Sequence, residues 1–169
     1  GEGQFGLSLP LCLLLPYSGR NPLTPPAAQT VTGSDVEQLI QLMHRYSSHL
    51  DAGRLDELVS LFADDGVWDG SAWGLPEIRG TGELRSFFAD TMSGPSNTLH
   101  LVLNHIIDAD ADADTATGSA YCHVFSLTHD GTRRDSLGIY TDRFVRTARG
   151  WKFARRSVGA ALTPPAAGR

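Results

Sequence analysis

From residue 34 onward the apolar positions keep first the rhythm of helices and then that of strands. Val36, Leu39, Ile40, Met43 and Leu50 recur at helical spacing, with Ser47 on the same stripe and Tyr46 bordering it. Ser34-Asp35-Val36-Glu37 in front of them is a capping-box pattern, Ser34 being the N-cap and Glu37 its reciprocal partner. This helix is expected to stop near Leu50, because Asp51-Ala52-Gly53 is a turn signature. A second short helix is predicted over residues 54–62, with Leu55, Leu58, Val59 and Phe62 inward, ended by Ala63-Asp64-Asp65-Gly66. Val67-Trp68-Asp69 reads as a strand, residues 70–76 as a loop carrying Trp73, and Glu77-Ile78-Arg79 as a small strand closed by Gly80. The third predicted helix covers residues 83–92, with Leu84, Phe87 and Phe88 apolar.

Beyond the loop at residues 93–96 the period becomes that of strands. Strands are predicted over residues 98–108 and 117–128, joined by an acidic turn at 108–114. His129-Asp130-Gly131 is a hairpin signal into a strand at 133–147, and Ala148-Arg149-Gly150 is another into a strand at 151–158. Three helices followed by an antiparallel meander make an α+β layout. The expected shape is a cone with one open mouth: a curved antiparallel sheet packed on three N-terminal helices, an α+β barrel. The 169 residues suffice for one domain with a sizeable core, placed at residues 34–160.

Composition narrows the function classes. Apolar residues make up 41% and charged residues 20%, ordinary globular usage. The net charge of -5 argues against a phosphate-binding surface, so no nucleic-acid partner is expected. The arginines of the last third (Arg133, Arg134, Arg143, Arg146, Arg149, Arg155, Arg156) read mostly as solvated strand faces. The first 33 residues hold five of the nine prolines and a broken apolar run at 7–15, too short to span a bilayer. That run has no basic stretch before it. It is read as a disordered or upstream extension, a degraded signal peptide being the alternative, and residues 161–169 as a flexible tail. No membrane partner and a cytoplasmic location are therefore expected. Cys12 and Cys122 make neither a disulfide framework nor a zinc pattern, and Cys122 reads as a small buried hydrophobe.

Metal chemistry finds little support in the spacing. In the acidic run from Asp108, the sixth position of a calcium loop would be Ala113 and the twelfth Ser119, where Gly and Glu are needed. His44 and His49 stand five apart on a helix and do not share a face. His100 and His105 stand five apart on a strand and are expected on opposite sheet faces. No metal site and no cofactor are expected. His100 nonetheless stands out, because Val102, Asn104 and Ile106 are expected to share its face, and Asp51 closes the first helix just past its apolar stripe. An acid at a helix C-terminus opposes the helix dipole. A satisfied core histidine and a structural turn aspartate explain the same residues, and the residues alone leave both readings open.

Tyr46-x4-Asp51 followed by Gly53, Leu55 and Leu58 is similar to the first helical hairpin of SnoaL-like enzymes. Thr98-Leu99-His100 followed by Asn104 resembles their His-x3-Asn strand. Ala116-Thr117-Gly118, Tyr140-Thr141-Asp142 and Gly150-Trp151 complete a resemblance to the SnoaL-like, nuclear-transport-factor-2-like superfamily over residues 34–158. Relatives of this kind include bile-acid dehydratase, scytalone dehydratase and hexachlorocyclohexane dehydrochlorinase. The resemblance implies an Asp–His dyad, with His100 as general base, Asp51 as its orienter and Tyr46 as electrophile or acid. Trp68, Trp73, Phe87, Phe88, Val102, Asn104, Tyr121, His123 and Tyr140 would line the substrate cavity. The second histidine of scytalone dehydratase and the Asp–Arg–Asp set of limonene epoxide hydrolases have no evident match. The leading expectation is a cofactor-independent lyase or isomerase acting on a steroid, terpenoid or polyketide. A non-catalytic binding or dimerisation module of the same fold is the alternative. A small subunit like the beta chains of aromatic-ring dioxygenases is a third reading. A homo-oligomer, dimer or trimer, is expected through the open sheet face.

Overall fold

Ser34 caps the first helix by the expected reciprocal bonds. Glu37 N donates to Ser34 Oγ at 3.3 Å, and Ser34 N donates to Glu37 Oε2 at 2.8 Å. The computed structural model describes residues 34–94, 96–109 and 114–162. The expected extension, most of the tail and the middle of the acidic turn lie outside the described residues. Helix α1 spans Asp35–Asp51 and buries Leu39, Leu42, Met43, Tyr46 and Ser47. Helix α2, Leu55–Val59, is shorter than predicted because Phe62 already belongs to strand β1, Phe62–Asp69. The predicted turn at residues 63–66 is a bulge inside that strand, where its register against the neighbouring strand shifts. A Cβ on Gly66 would stand 2.9 Å from Ala63 O and 3.0 Å from Phe153 O, which is why glycine occupies the bulge.

A 3₁₀ turn, Ser71–Trp73, leads to β2, Glu77–Arg79, and α3, Gly80–Met92. Four long strands follow: β3, Ser96–Ala109; β4, Thr115–Thr128; β5, Arg133–Thr147; β6, Gly150–Ala160. They form one curved, unclosed six-stranded sheet ordered β2-β1-β6-β5-β4-β3, with the helices packed on its inner side. This is a mixed α+β fold. One pairing departs from the expected all-antiparallel sheet: β1 runs parallel to β6. Such a partner, remote in sequence, leaves no turn signal between the two strands.

Strand β3 turns over partway along. Asn104 has φ 54°, and the register with β4 shifts between Leu103 and Ile106. One extra residue there reverses the alternation. His100 and Val102 face the helices before the bulge, and His105 and Ile107 face them after it. The expectation that Asn104 and Ile106 share the face of His100 is therefore corrected: Asn104 is exposed and Ile106 is 63% exposed. The same reversal brings His105 to the inner side, with its ring centroid 4.7 Å from that of His44 on α1.

Candidate functional site

The mouth of the cone holds a cavity of about 450 Å³, walled by α1, α3, the 70–76 loop and the inner faces of β3 to β6. Its wall contains Asp51 and His100. Asp51 sits in the last turn of α1, which packs on β3, so the carboxylate meets the start of that strand. Its Oδ1 lies 2.5 Å from His100 Nδ1 and accepts from Thr98 Oγ1 at 3.2 Å. Its Oδ2 accepts from the His100 backbone N at 2.8 Å. Both side chains are more than nine-tenths buried. Strand backbone and ring are thus held by one carboxylate, which fixes the imidazole plane and leaves Nε2 for a ligand.

Tyr46 lies about 1.4 helical turns before Asp51 and also lines the cavity. Trp68 Nε1 donates to its hydroxyl oxygen at 3.0 Å. Burial pushes the Tyr46 phenol well above its usual range, against the pull of the Arg156 guanidinium, so the hydroxyl keeps its proton. With a lone pair already engaged by Trp68, this hydroxyl is poised to donate. Burial likewise raises the Tyr140 phenol and the Cys122 thiol, both in the cavity wall. Trp68, Phe87 and Phe88 pack ring against ring, with Trp68 and Phe87 centroids 4.7 Å apart.

Of the expected lining, the fold gathers Trp68, Trp73, Phe87, Phe88 and Tyr140 around Asp51, His100 and Tyr46. Four residues fall elsewhere. Val102 packs part-buried against the core outside the cavity wall. Asn104 is carried outward by the bulge. Tyr121 and His123 point to the outer sheet face, because strand alternation turns Cys122 and Val124 inward instead. There His123 Nε2 meets Asp135 Oδ2 at 3.2 Å and its ring stacks on Phe125. Tyr121 is 51% exposed. The wall also recruits Leu50 from the predicted helical stripe, and Leu75, Thr91, Met92, Asn97, Thr98, Ser136 and Val158, which periodicity alone did not single out.

Sequence reasoning also missed a buried ion pair under the cavity. Arg156 donates from Nε to Asp142 Oδ1 at 2.8 Å and from Nη2 to Oδ2 at 2.7 Å, both residues being fully buried. Arg156 is thus not on a solvated face. Its guanidinium carbon stands 4.3, 4.1 and 4.3 Å from the ring centres of Tyr46, Tyr140 and Phe153. Burial pushes the Asp142 carboxyl up, while Arg156 pulls it down. A signal was available: Tyr140-x-Asp142-x-Phe144 places Asp142 on the core side of its strand. Among the described residues no group of three His, Cys, Asp or Glu is arranged to hold a metal, and no helix is long and apolar enough to cross a membrane.

The SnoaL-like domain family matches residues 32–157. Uncharacterized proteins of Mycobacterium tuberculosis are 30% identical over 126 residues, covering 73% of this chain and 83% of theirs. A solved structure from Novosphingobium aromaticivorans, provisionally named an aromatic ring hydroxylase, is similar with a TM-score of 0.71 and 27% identity, over 76% of this chain and 90% of that one. A provisionally named dehydratase of the NTF2-like family from Streptomyces avermitilis has a TM-score of 0.67 at 23% identity, over 76% and 97%. At that identity the second likeness shows the fold alone.

Proposed function

Because the chain belongs to the SnoaL-like family, we propose that its cavity is the active site of a cofactor-independent lyase or isomerase for a hydrophobic small molecule. The observation that carries this reading is the clamp of Asp51 on His100 in the wall of an aromatic-lined cavity. With Asp51 on Nδ1, the tautomer protonated at Nδ1 is favoured and Nε2 offers its lone pair. That nitrogen takes a proton from the carbon beside a substrate carbonyl, and Asp51 stabilises the imidazolium that forms. Tyr46 donates to the carbonyl oxygen, where negative charge develops. When a hydroxyl stands on the next carbon, the electron pair closes a carbon–carbon double bond and the C–O bond breaks. The departing oxygen takes the proton from His100, so a hydroxyketone gives an enone and water. Returning the proton to another carbon makes the same groups an isomerase. Base and acid are both side chains of this chain, so these steps balance without an added group.

A screen of hydroxyketones, followed by His100→Gln and Asp51→Asn, tests this reading. Each substitution is expected to lower kcat/KM by about 10²–10⁴-fold with the fold intact by circular dichroism. Full turnover by the double variant would sink it, and retained binding without turnover in the wild type would favour a binding module.

We also assign the outer face of β3, β4 and β5 to contact with further copies of the chain. Leu99, Leu101, Leu103, Tyr121, Leu127 and Leu137 are there between 36% and 51% exposed. These exposed apolar side chains surround the His123–Asp135 pair, and a second copy seated on them would take them out of water.

A further inference from the structure

The aromatic side chains of the cavity wall are not all held alike. Tyr46, Trp68, Phe87, Phe88 and Tyr140 pack ring against ring, and the Trp68 indole also donates to Tyr46. Trp73 lines the same cavity but is 38% exposed. Among the described residues its ring pairs with no other ring and its indole N–H with no acceptor. It rests instead on Gly138 of β5, where a Cβ would stand 2.9 Å from Cζ2 and 3.1 Å from Cη2 of the indole. The loop that carries it is firm at the base and open at the tip. Arg155 holds both Asp69, just before the loop, and Glu77, just after it, the latter at 2.7 Å. Ser71 N donates to Asp69 Oδ1 at 3.0 Å. Gly74, next after Trp73, has φ 74°, and nothing lies within 4 Å of a Cβ placed there. The indole can therefore turn about its own side-chain bonds, toward open space, without breaking a hydrogen bond or an aromatic pair.

We propose that Trp73 is the gate of the cavity: seated on Gly138 its indole closes one side of the mouth, and it swings off the glycine to admit a flat apolar ligand. This rests on the cavity's being the ligand site, as argued above, and it does not depend on turnover. Gly138 is then the position that sets access, because any side chain there keeps the indole off its seat and holds the mouth open. A gate that returns over a bound ligand also keeps water from the Asp51–His100 pair.

Two measurements on the full chain test the proposal. Labelling with 5-fluorotryptophan gives separate fluorine resonances for Trp68, Trp73 and Trp151, that of Trp73 being assigned by its loss in Trp73→Phe. Trp68 and Trp151 are each held by a hydrogen bond, so Trp73 alone is expected to show microsecond-to-millisecond exchange by relaxation dispersion. Gly138→Ala is expected to move its resonance toward that of an exposed indole. Stopped-flow mixing with prodan, a neutral naphthalene ketone, reads entry and exit. Trp73→Ala is expected to raise both rate constants about fivefold or more while Kd changes less than about threefold. Gly138→Ala is expected to act in the same direction and to add nothing in the double variant. A Trp73 resonance as static as that of Trp68, unchanged rates in Trp73→Ala, or additive effects in the double variant would each overturn the proposal. Failure of prodan to bind the wild type would count against the cavity as the ligand site, and the fluorine measurement would then decide the gate. Loss of activity in His100→Gln tests the catalytic reading separately, since prodan entry and exit are expected to survive that change.

Discussion

Asp142 and Arg156 face each other without solvent, and the sign of their contribution differs with what is changed. Removing one partner strands the other charge, whereas replacing both with apolar groups of like volume removes the problem. Arg156→Met is expected to lower unfolding free energy by about 3–5 kcal/mol, read from the urea midpoint at unchanged slope. Asp142→Leu combined with Arg156→Met is expected to recover most of that loss. Asp69, on β1 opposite Ser157 of β6, contributes a pH dependence. Its carboxylate accepts from Ser71 at the 70–76 loop, and also from Arg155, and these hold its pKa at about 2 against an ordinary 3.8. The folded form therefore binds the proton less readily than the unfolded one. The stability this adds is complete above pH 3.8 and is lost as pH falls toward 2. Urea midpoints stepped across that interval are expected to fall in the wild type and to fall less steeply in Asp69→Asn.

At the level of elements, strand β3 and helix α1 together bring Asp51 against His100. Asp51 was legible because it closes an apolar helical stripe, and His100 because it interrupts an apolar strand. The β5 boundaries follow from period-two alternation between two hairpin signals, and the structure has them at the predicted residues. What the sequence concealed was the turn-over at Asn104. Asparagine is among the few non-glycine residues that accept a positive φ, and nothing else marks the spot as a bulge. Strict alternation then sent Asn104 inward and His105 outward, the reverse of what is found. The ion pair under the cavity was hidden for a related reason: charge suggested solvent where the strand face said core. Asn104→Val is expected to cost about 1–2 kcal/mol, because a β-branched residue resists that backbone, while Asn104→Gly is tolerated. Thermal unfolding of the two variants side by side measures the difference.

For the molecule as a whole, the two faces of the sheet differ, a cavity lying within and exposed apolar side chains without. Sedimentation of the wild type is expected to show a dimer or trimer, and Leu101→Lys with Leu103→Lys a monomer of unchanged helix and strand content. A different consequence follows from the parallel pairing of β1 with β6. In order of synthesis β1 comes early and β6 last among the described strands, yet they are neighbours in the sheet. A chain leaving the ribosome carries Phe62 and Val67 without their β6 partners until Phe153 and Arg155 emerge. Asp51 and His100 are made well before that, while the floor beneath them waits for Arg156. A chain cut short within β5 therefore lacks the one strand that joins β1 and β2 to the rest of the sheet.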